Sequence, residues 1–180
     1  QTCALPIYTA VDVTLPGGEV LPLDSSALLA RLAHGIEARH QLTLQRSDRS
    51  MTDSRPVSLF GVATARQLSE ELGGAPAAPL DLRRFRANIY ADFAAASGFA
   101  RGFAEDELVG RTLRIGARAT IRITGRDPRC KMITLAPDTA APSPEIIRVV
   151  SEQHGGNAGV YAVTLVEGII HPGDTITLLD

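Results

Sequence analysis

A chain of 180 residues that is 44% apolar buries one sizeable core, which excludes a disordered chain and leaves room for one domain or one domain and part of a second. The formal net charge of -2 and a pI near 6.1 give no global pull toward nucleic acid or anionic membrane, so any anion site is local. No run approaches the roughly 18 consecutive apolar residues of a membrane span, and no basic segment followed by an apolar one opens the chain.

In chain order, residues 1–7 (QTCALPI) are what one frame of a common short-read sequencing adapter encodes, so this segment is expected to be non-native and Cys3 to carry no biology. Residues 8–15 alternate with β-branched side chains, and Pro16-Gly17-Gly18 followed by the run 20–23 predicts a hairpin. Asp24 or Ser25 caps a helix whose apolar positions are Leu28, Leu29, Leu32 and Ile36. Leu42 and Leu44 predict a brief strand. Val62, Ala65, Leu68 and Leu72 predict a second helix that Gly73-Gly74 ends, with a loop over 73–79.

From Phe85 the texture changes to short strands parted by turn residues about every ten positions, expected over 85–90, 112–115, 117–124, 132–135, 160–166 and 175–178. One helix interrupts them, with Ser143 as N-cap, Pro144 first, Glu145 in the first turn and Gly155-Gly156 as the stop. The fold class is therefore mainly β with a few helices (α+β), in the manner of an antiparallel barrel or sandwich.

Several chemistries are excluded by residue counts. Lys131 is the single lysine among 18 basic residues, so a pyridoxal phosphate enzyme has one Schiff-base candidate and no glycine-rich phosphate loop near it. Cys3 and Cys130 are too few for a disulfide scaffold and lack CxxC spacing, and the four histidines are scattered, so zinc is not expected and a reducing cytoplasm is. The 17 arginines have two readings: a nucleotide bias that writes arginine for lysine, or planar forks used on phosphate and carboxylate.

Three segments carry candidate chemistry. Ile115, Ala117, Ala119, Ile121 and Ile123 alternate with Arg114, Arg118, Thr120, Arg122, Thr124 and Arg126, which predicts a buried apolar face and an arginine face that is either solvated or anion-binding. Gly125-Arg126-Asp127-Pro128-Arg129-Cys130-Lys131 is a turn delivering a cysteine between two cations that favour a thiolate, the form that ligates a soft metal; the alternative is an inert core cysteine. Arg83-Arg84-Phe85-Arg86-Ala87-Asn88-Ile89 gathers guanidiniums and a carboxamide, which serve either as an exposed edge or as a clamp for a phosphate and a pterin ring edge.

Taken together these segments resemble the MOSC family, named for the C-terminal domain of molybdenum cofactor sulfurase and shared with the mitochondrial amidoxime-reducing component. The family's RFRPNI-like strand, its acidic stretch leading to a W-x-G-x-x-L-x-I-G-like run, and its R-C-x-x-x-T-x-x-P-x-T-like segment read here as Arg84-Phe85-Arg86-Ala87-Asn88-Ile89, as 105–116, and as Arg129-Cys130-Lys131-Met132-Ile133-Thr134-Leu135-Ala136-Pro137-Asp138-Thr139, and the closing Gly159-Val160-Tyr161 with Ile170 through Asp174 resembles the family's last two strands. Ala87 replaces the usual proline, Leu108 the usual tryptophan, and Pro128 a small polar residue. The resemblance covers about residues 55–180 and implies a β-barrel similar to that of pyruvate kinase, spanning 81–180, with residues 8–80 as part of a companion N-terminal barrel plus helices.

It further implies a molybdenum cofactor (molybdopterin), with Cys130 as metal ligand and catalytic residue and with Arg84, Arg86, Asn88, Arg129 and Cys130 holding the cofactor. The implied activity is an oxidoreductase that reduces N-hydroxylated compounds. A separate electron-donor protein is expected, since no Cys₄ spacing or GxGxxG loop is present. The alternative is a sulfur carrier or cofactor-handling module that receives a persulfide on Cys130 without turning over a substrate. Neither nucleic acid nor membrane is expected as a partner.

Overall fold

A computed structural model describes residues 11–34, 36–37, 41–44, 56–73 and 80–180. Residues 1–7 with Cys3, and the loop expected over 74–79, lie outside the described residues. The chain divides into two compact units, 1–51 and 52–180. In the first, β1 (Asp12–Thr14) and β2 (Val20–Pro22) pair antiparallel as the alternation predicts, turning through Gly18 at φ +82. Ser25 then caps α1 (Ser26–Ala33), its side chain accepting from the Leu28 amide at 3.2 Å. Residues 41–44 form no strand: Leu42 and Leu44 are exposed, and an alternating run without a partner strand has nothing to pair with.

The second unit is built on β3 (Val57–Gly61), α2 (Val62–Glu71), β4 (Ile89–Ala91), β5 (Thr112–Ile115), β6 (Ala119–Pro128), α3 (Pro144–Gln153), β7 (Asn157–Val166) and β8 (Ile176–Leu178). Six strands form one sheet in the order β4-β3-β7-β6-β5-β8, curled into a half-barrel, with every pairing antiparallel except β3 with β4. The protein is thus mainly β with three α-helices among the described residues. Because β3 pairs with both β7 and β4, β3 and α2 belong with this unit although they precede residue 81.

Each face of the sheet has its own core. On the concave side Leu59, Leu113, Ile115, Ile121, Ile123, Val160 and Ala162 close together. On the other, Phe60, Phe85, Ile133, Ala158 and residues of α2 and α3 pack into a second cluster. Leu59 and Phe60 therefore point to opposite layers, the period of two that strand geometry requires. Along β7 the parity breaks at Gly159, whose φ of +86 accompanies a register shift between Arg126↔Val160 and Pro128↔Asn157, and the bulge turns Ala158 away from the concave core toward the helices.

Four expectations are corrected. The strand expected over 85–90 forms only from Ile89, as β4, because Phe85 ends a 3-10 helix, Leu82–Phe85, capped by the Asp81 carboxylate on the Arg83 amide at 2.9 Å, and Arg86 then takes the left-handed conformation at φ +52. The segment read as a strand over 132–135 is a second 3-10 helix, Lys131–Thr134, in which the Thr134 hydroxyl donates to the Lys131 carbonyl at 2.8 Å. Ala117 sits exposed in the turn between β5 and β6 rather than on the apolar face. Ser143 occupies the N-cap position of α3, but its side chain makes no capping bond.

Helix α2 follows β3 with no loop between them, and its N-cap residue is Gly61, which has no side chain to cap with. The cap comes from 44 residues downstream: the fully buried Glu105 accepts from the Gly61 amide at 3.1 Å and from the Thr64 hydroxyl at 2.7 Å. A Cβ on Gly61 would lie 2.6 Å from Glu105 Oε2, so the glycine makes room for the carboxylate. Burial pushes the Glu105 carboxyl up, and its bonds to Thr64 and Gly61 only partly oppose that.

Glu105→Ala is expected to lower stability by about 3 kcal/mol in denaturant unfolding, because it strands two buried donors and opens a cavity. A carboxyl raised on folding contributes stability that is complete below its unfolded pKa and is lost as pH rises through the folded value. Glu105→Gln should therefore gain on the wild type as pH is raised above the ordinary carboxylate range, and a stability difference independent of pH would contradict this account.

Candidate functional site

Strand β6 ends at Pro128, and the chain must then turn. Arg129 fixes that turn from inside: its Nε donates to the Ala158 carbonyl at 2.6 Å and its Nη1 to the Phe85 carbonyl at 2.7 Å. Nη2 lies 2.8 Å from Asp127 Oδ2, close enough for an ion pair but without a hydrogen bond's alignment, and the Arg129 side chain is 8% exposed. The guanidinium also lies 5.7 Å from the ring centres of both Phe60 and Phe85, which stack on each other at 4.1 Å. Burial pulls the guanidinium's pKa down and the Asp127 charge pushes back.

Gly159 completes this socket. A Cβ there would fall 2.9 Å from the Leu59 carbonyl oxygen and 3.0 Å from Arg129 Nη2. Only a residue without a side chain, and one at ease at positive φ, leaves the guanidinium its place.

Three consecutive residues of the Leu82–Phe85 turn reach the segment around Cys130. The Phe85 carbonyl takes Arg129, while Arg84 Nη1 donates to the Thr134 carbonyl at 3.0 Å. Arg83 grips Asp138 with both terminal nitrogens at 2.9 and 2.7 Å and Asp81 with Nε and Nη2. The Arg83 bonds hold the Asp138 and Asp81 carboxyls below their ordinary range. Backbone on both sides of Cys130 is therefore tied to the Arg83–Phe85 stretch, and that juxtaposition joins the two sequence motifs.

Within this frame Cys130 is exposed and is the one free cysteine among the described residues. It caps the N-terminus of the Lys131–Thr134 turn in an extended conformation, φ -107 and ψ 179. Lys131 and Arg86 are exposed and make no ion pair with any described residue. Exposed Asn88 immediately precedes β4, and its Oδ1 accepts from the Ser58 amide at 2.9 Å and hydroxyl at 3.1 Å, which fixes the carboxamide and leaves Nδ2 unused by these bonds.

The five residues singled out by sequence thus fall into two kinds. Arg84 and Arg129 have their guanidiniums engaged on backbone carbonyls, whereas Arg86, Asn88 and Cys130 are exposed. Sequence reasoning met Asp138 and Gly159 inside family-like segments but gave neither of them, nor Ala158, a role; for Gly159 the signal was a lone glycine inside a strand pattern. A cavity of about 360 Å³ opens on the concave side at Val57, Asn88, Ile89, Ile115, Ala119 and Ile121, but Cys130 does not line it. Its lining reaches the candidate residue Asn88, whereas Ile121 at its other side stands seven strand positions, roughly 20 Å, from Pro128 along β6.

Among the described residues no group of three or more His, Cys, Asp and Glu side chains is placed to hold a metal ion, so what this rim offers a metal is one sulfur. No helix among them is long and apolar enough to cross a membrane.

The model of one protein family, described as the MOSC domain, matches residues 46–177. Among solved structures the chain is similar to the crystal structure of YiiM from Geobacillus stearothermophilus, at 16% identity and a TM-score of 0.45, over 70% of this chain and 55% of that one. The chain spans little more than half the length of that protein. No curated protein matches it.

Removing the buried cation should cost far more than its lone position suggests. Arg129→Met is expected to destabilise the fold by about 3 kcal/mol, because two carbonyls lose their donor and the Asp127 charge loses this counter-ion. Gly159→Ala should cost about 2 kcal/mol through strain and the displaced guanidinium. Thermal unfolding of both variants checks this, and melting within a degree of the wild type would show that the socket does not hold the turn.

Proposed function

Because this chain belongs to the MOSC domain family, which is associated with the molybdenum cofactor, we propose that it binds that cofactor with the Cys130 thiolate as the protein's ligand to molybdenum. The observation that carries the reading is an exposed soft donor on a backbone pinned from both sides, on a rim where free cations stand beside it. The donor set suits the group. A single thiolate adds one soft ligand to a metal that brings its own organic ligand, and Arg86 and Lys131 are available to an anionic pterin phosphate. The Nδ2 of Asn88 offers a donor to the pterin ring, while Arg84 and Arg129 support the site by orienting the turn that carries the sulfur.

When bound, the cofactor supplies oxygen-atom and electron transfer, and the activity proposed is reduction of N-hydroxylated compounds. The chain's own part is to bind and orient. Electrons then come from a separate donor protein, and a reducing compartment such as the cytoplasm keeps the thiol available. Exposure of the sulfur also suits the second reading, a Cys130 persulfide carrier, which a mass increase of one sulfur after incubation with a sulfur donor would reveal.

Expression in cells with intact cofactor synthesis, followed by metal analysis, tests the first reading. Wild type is expected to retain molybdenum and release a fluorescent pterin on denaturation, Cys130→Ser to lose the metal, and Arg86→Ala to hold it about ten-fold more weakly. Equal molybdenum in wild type and Cys130→Ser refutes ligation by this sulfur.

A further inference from the structure

The outward face of the β5–β6 hairpin is a segregated positive surface. Its outward positions are Thr112, Arg114, Thr120, Arg122, Thr124 and Arg126, with Arg118 in the turn between the strands, and none of them is acidic. In register, Arg114 lies opposite Thr120, midway between Arg118 and Arg122. Two strands together therefore present a guanidinium about every 7 Å along the hairpin axis.

Not all of that charge is compensated. Arg126 is paired with Asp106 at 2.8 Å and reaches the His154 carbonyl at 3.2 Å. Arg122 lies 3.9 Å from an Asp180 carboxylate oxygen, a loose contact. Arg114 and Arg118 are exposed and have no carboxylate within ion-pairing distance among the described residues. Like charges on neighbouring strands repel, and the carboxylates that reach this face, Asp180 at Thr112 and Asp106 at Arg126, leave Arg114 and Arg118 uncompensated. In a chain of net charge -2 the two unpaired guanidiniums of Arg114 and Arg118 are open to an external counter-charge.

We propose that this face docks an acidic protein partner, whose carboxylates take the free forks of Arg114 and Arg118, with Arg122 reinforcing them. The outward positions of the hairpin carry no aromatic residue on which bases could stack, and a curled sheet face offers no element that enters a duplex groove, which favours carboxylates over nucleic acid. The inference is independent of what Cys130 binds.

Fluorescence anisotropy with a labelled decaglutamate peptide tests it, using the full chain at about 50 mM and about 300 mM salt. Wild type is expected to bind at low salt and release at high salt, and the double variant Arg114→Glu with Arg118→Glu to bind roughly ten-fold more weakly or not at all. Arg148→Glu, a reversal at an exposed position on α3 outside the β5–β6 hairpin, should leave binding unchanged. Should the double reversal disturb folding, Arg118→Gln in the turn reads the same effect with a smaller loss. Failure of wild type to bind, equal binding by the double variant, equal loss in Arg148→Glu, or tighter binding of a labelled ten-nucleotide oligothymidylate than of the peptide each overturns the proposal.

Discussion

A guanidinium taken out of water is costly unless every donor is met, and the Arg129 side chain is where this fold accepts that cost. Its contacts belong to separate parts of the chain: the Asp127 carboxylate on β6, the Ala158 carbonyl on β7 and the Phe85 carbonyl at the end of a 3-10 turn. The Gly159 bulge turns Ala158 to the helix side, the left-handed Arg86 ends the turn so that the Phe85 carbonyl is left free, and the Phe60–Phe85 stack gives the cation an aromatic wall. Neighbouring residue Cys130 inherits a fixed backbone while its own side chain stays at the surface.

The abundance of arginine acquires a physical meaning from this arrangement. Arg84, Arg126 and Arg129 each donate to backbone carbonyls from which a lysine's single ammonium could satisfy fewer at once, and Arg83 uses both edges of its fork on two carboxylates. Whatever sets the count, the geometry uses the fork at these four positions. The targets at Arg84 and Arg129 are the protein's own carbonyls, which makes them supports of the rim, and it leaves Arg86 and Lys131 as the cations open to a ligand.

Much of the frame was legible because period and punctuation are local signals. The hairpin at Pro16-Gly17-Gly18, the cap at Ser25, strand β5, Pro144 at the head of α3 and its stop at Gly155-Gly156 follow from residues within a few positions of each other. Strand β3 was missed because it is buried almost throughout and paired on both sides, so its sequence shows no alternation. The turn Lys131–Thr134 was read as a strand because Met132, Ile133 and Leu135 make an apolar run over only four positions, too short to separate the periods, and the strand expected from Phe85 starts late because the left-handed Arg86 intervenes. Glu105 could not be read at all: a cap supplied from 44 residues away is visible only once β3 and the 104–108 turn are packed together.

Of the candidate site, the motifs were legible and their division of labour was not. Sequence placed Arg84, Arg86, Asn88, Arg129 and Cys130 in one group because it sees residue types, whereas the direction of each side chain depends on the φ of Arg86 and on the bulge at Gly159. Those two backbone features decide which groups face the core and which face the solvent. A reactive site needs this pairing of a backbone that cannot shift with side chains that can still be approached, since tight internal bonds fix position and open donors make contact. Cys130 meets both conditions, while the cavity that Asn88 shares with Ile115, Ala119 and Ile121 has apolar walls and no thiol. The cofactor site proposed above therefore rests on the rim beyond Pro128, which the sheet holds in place.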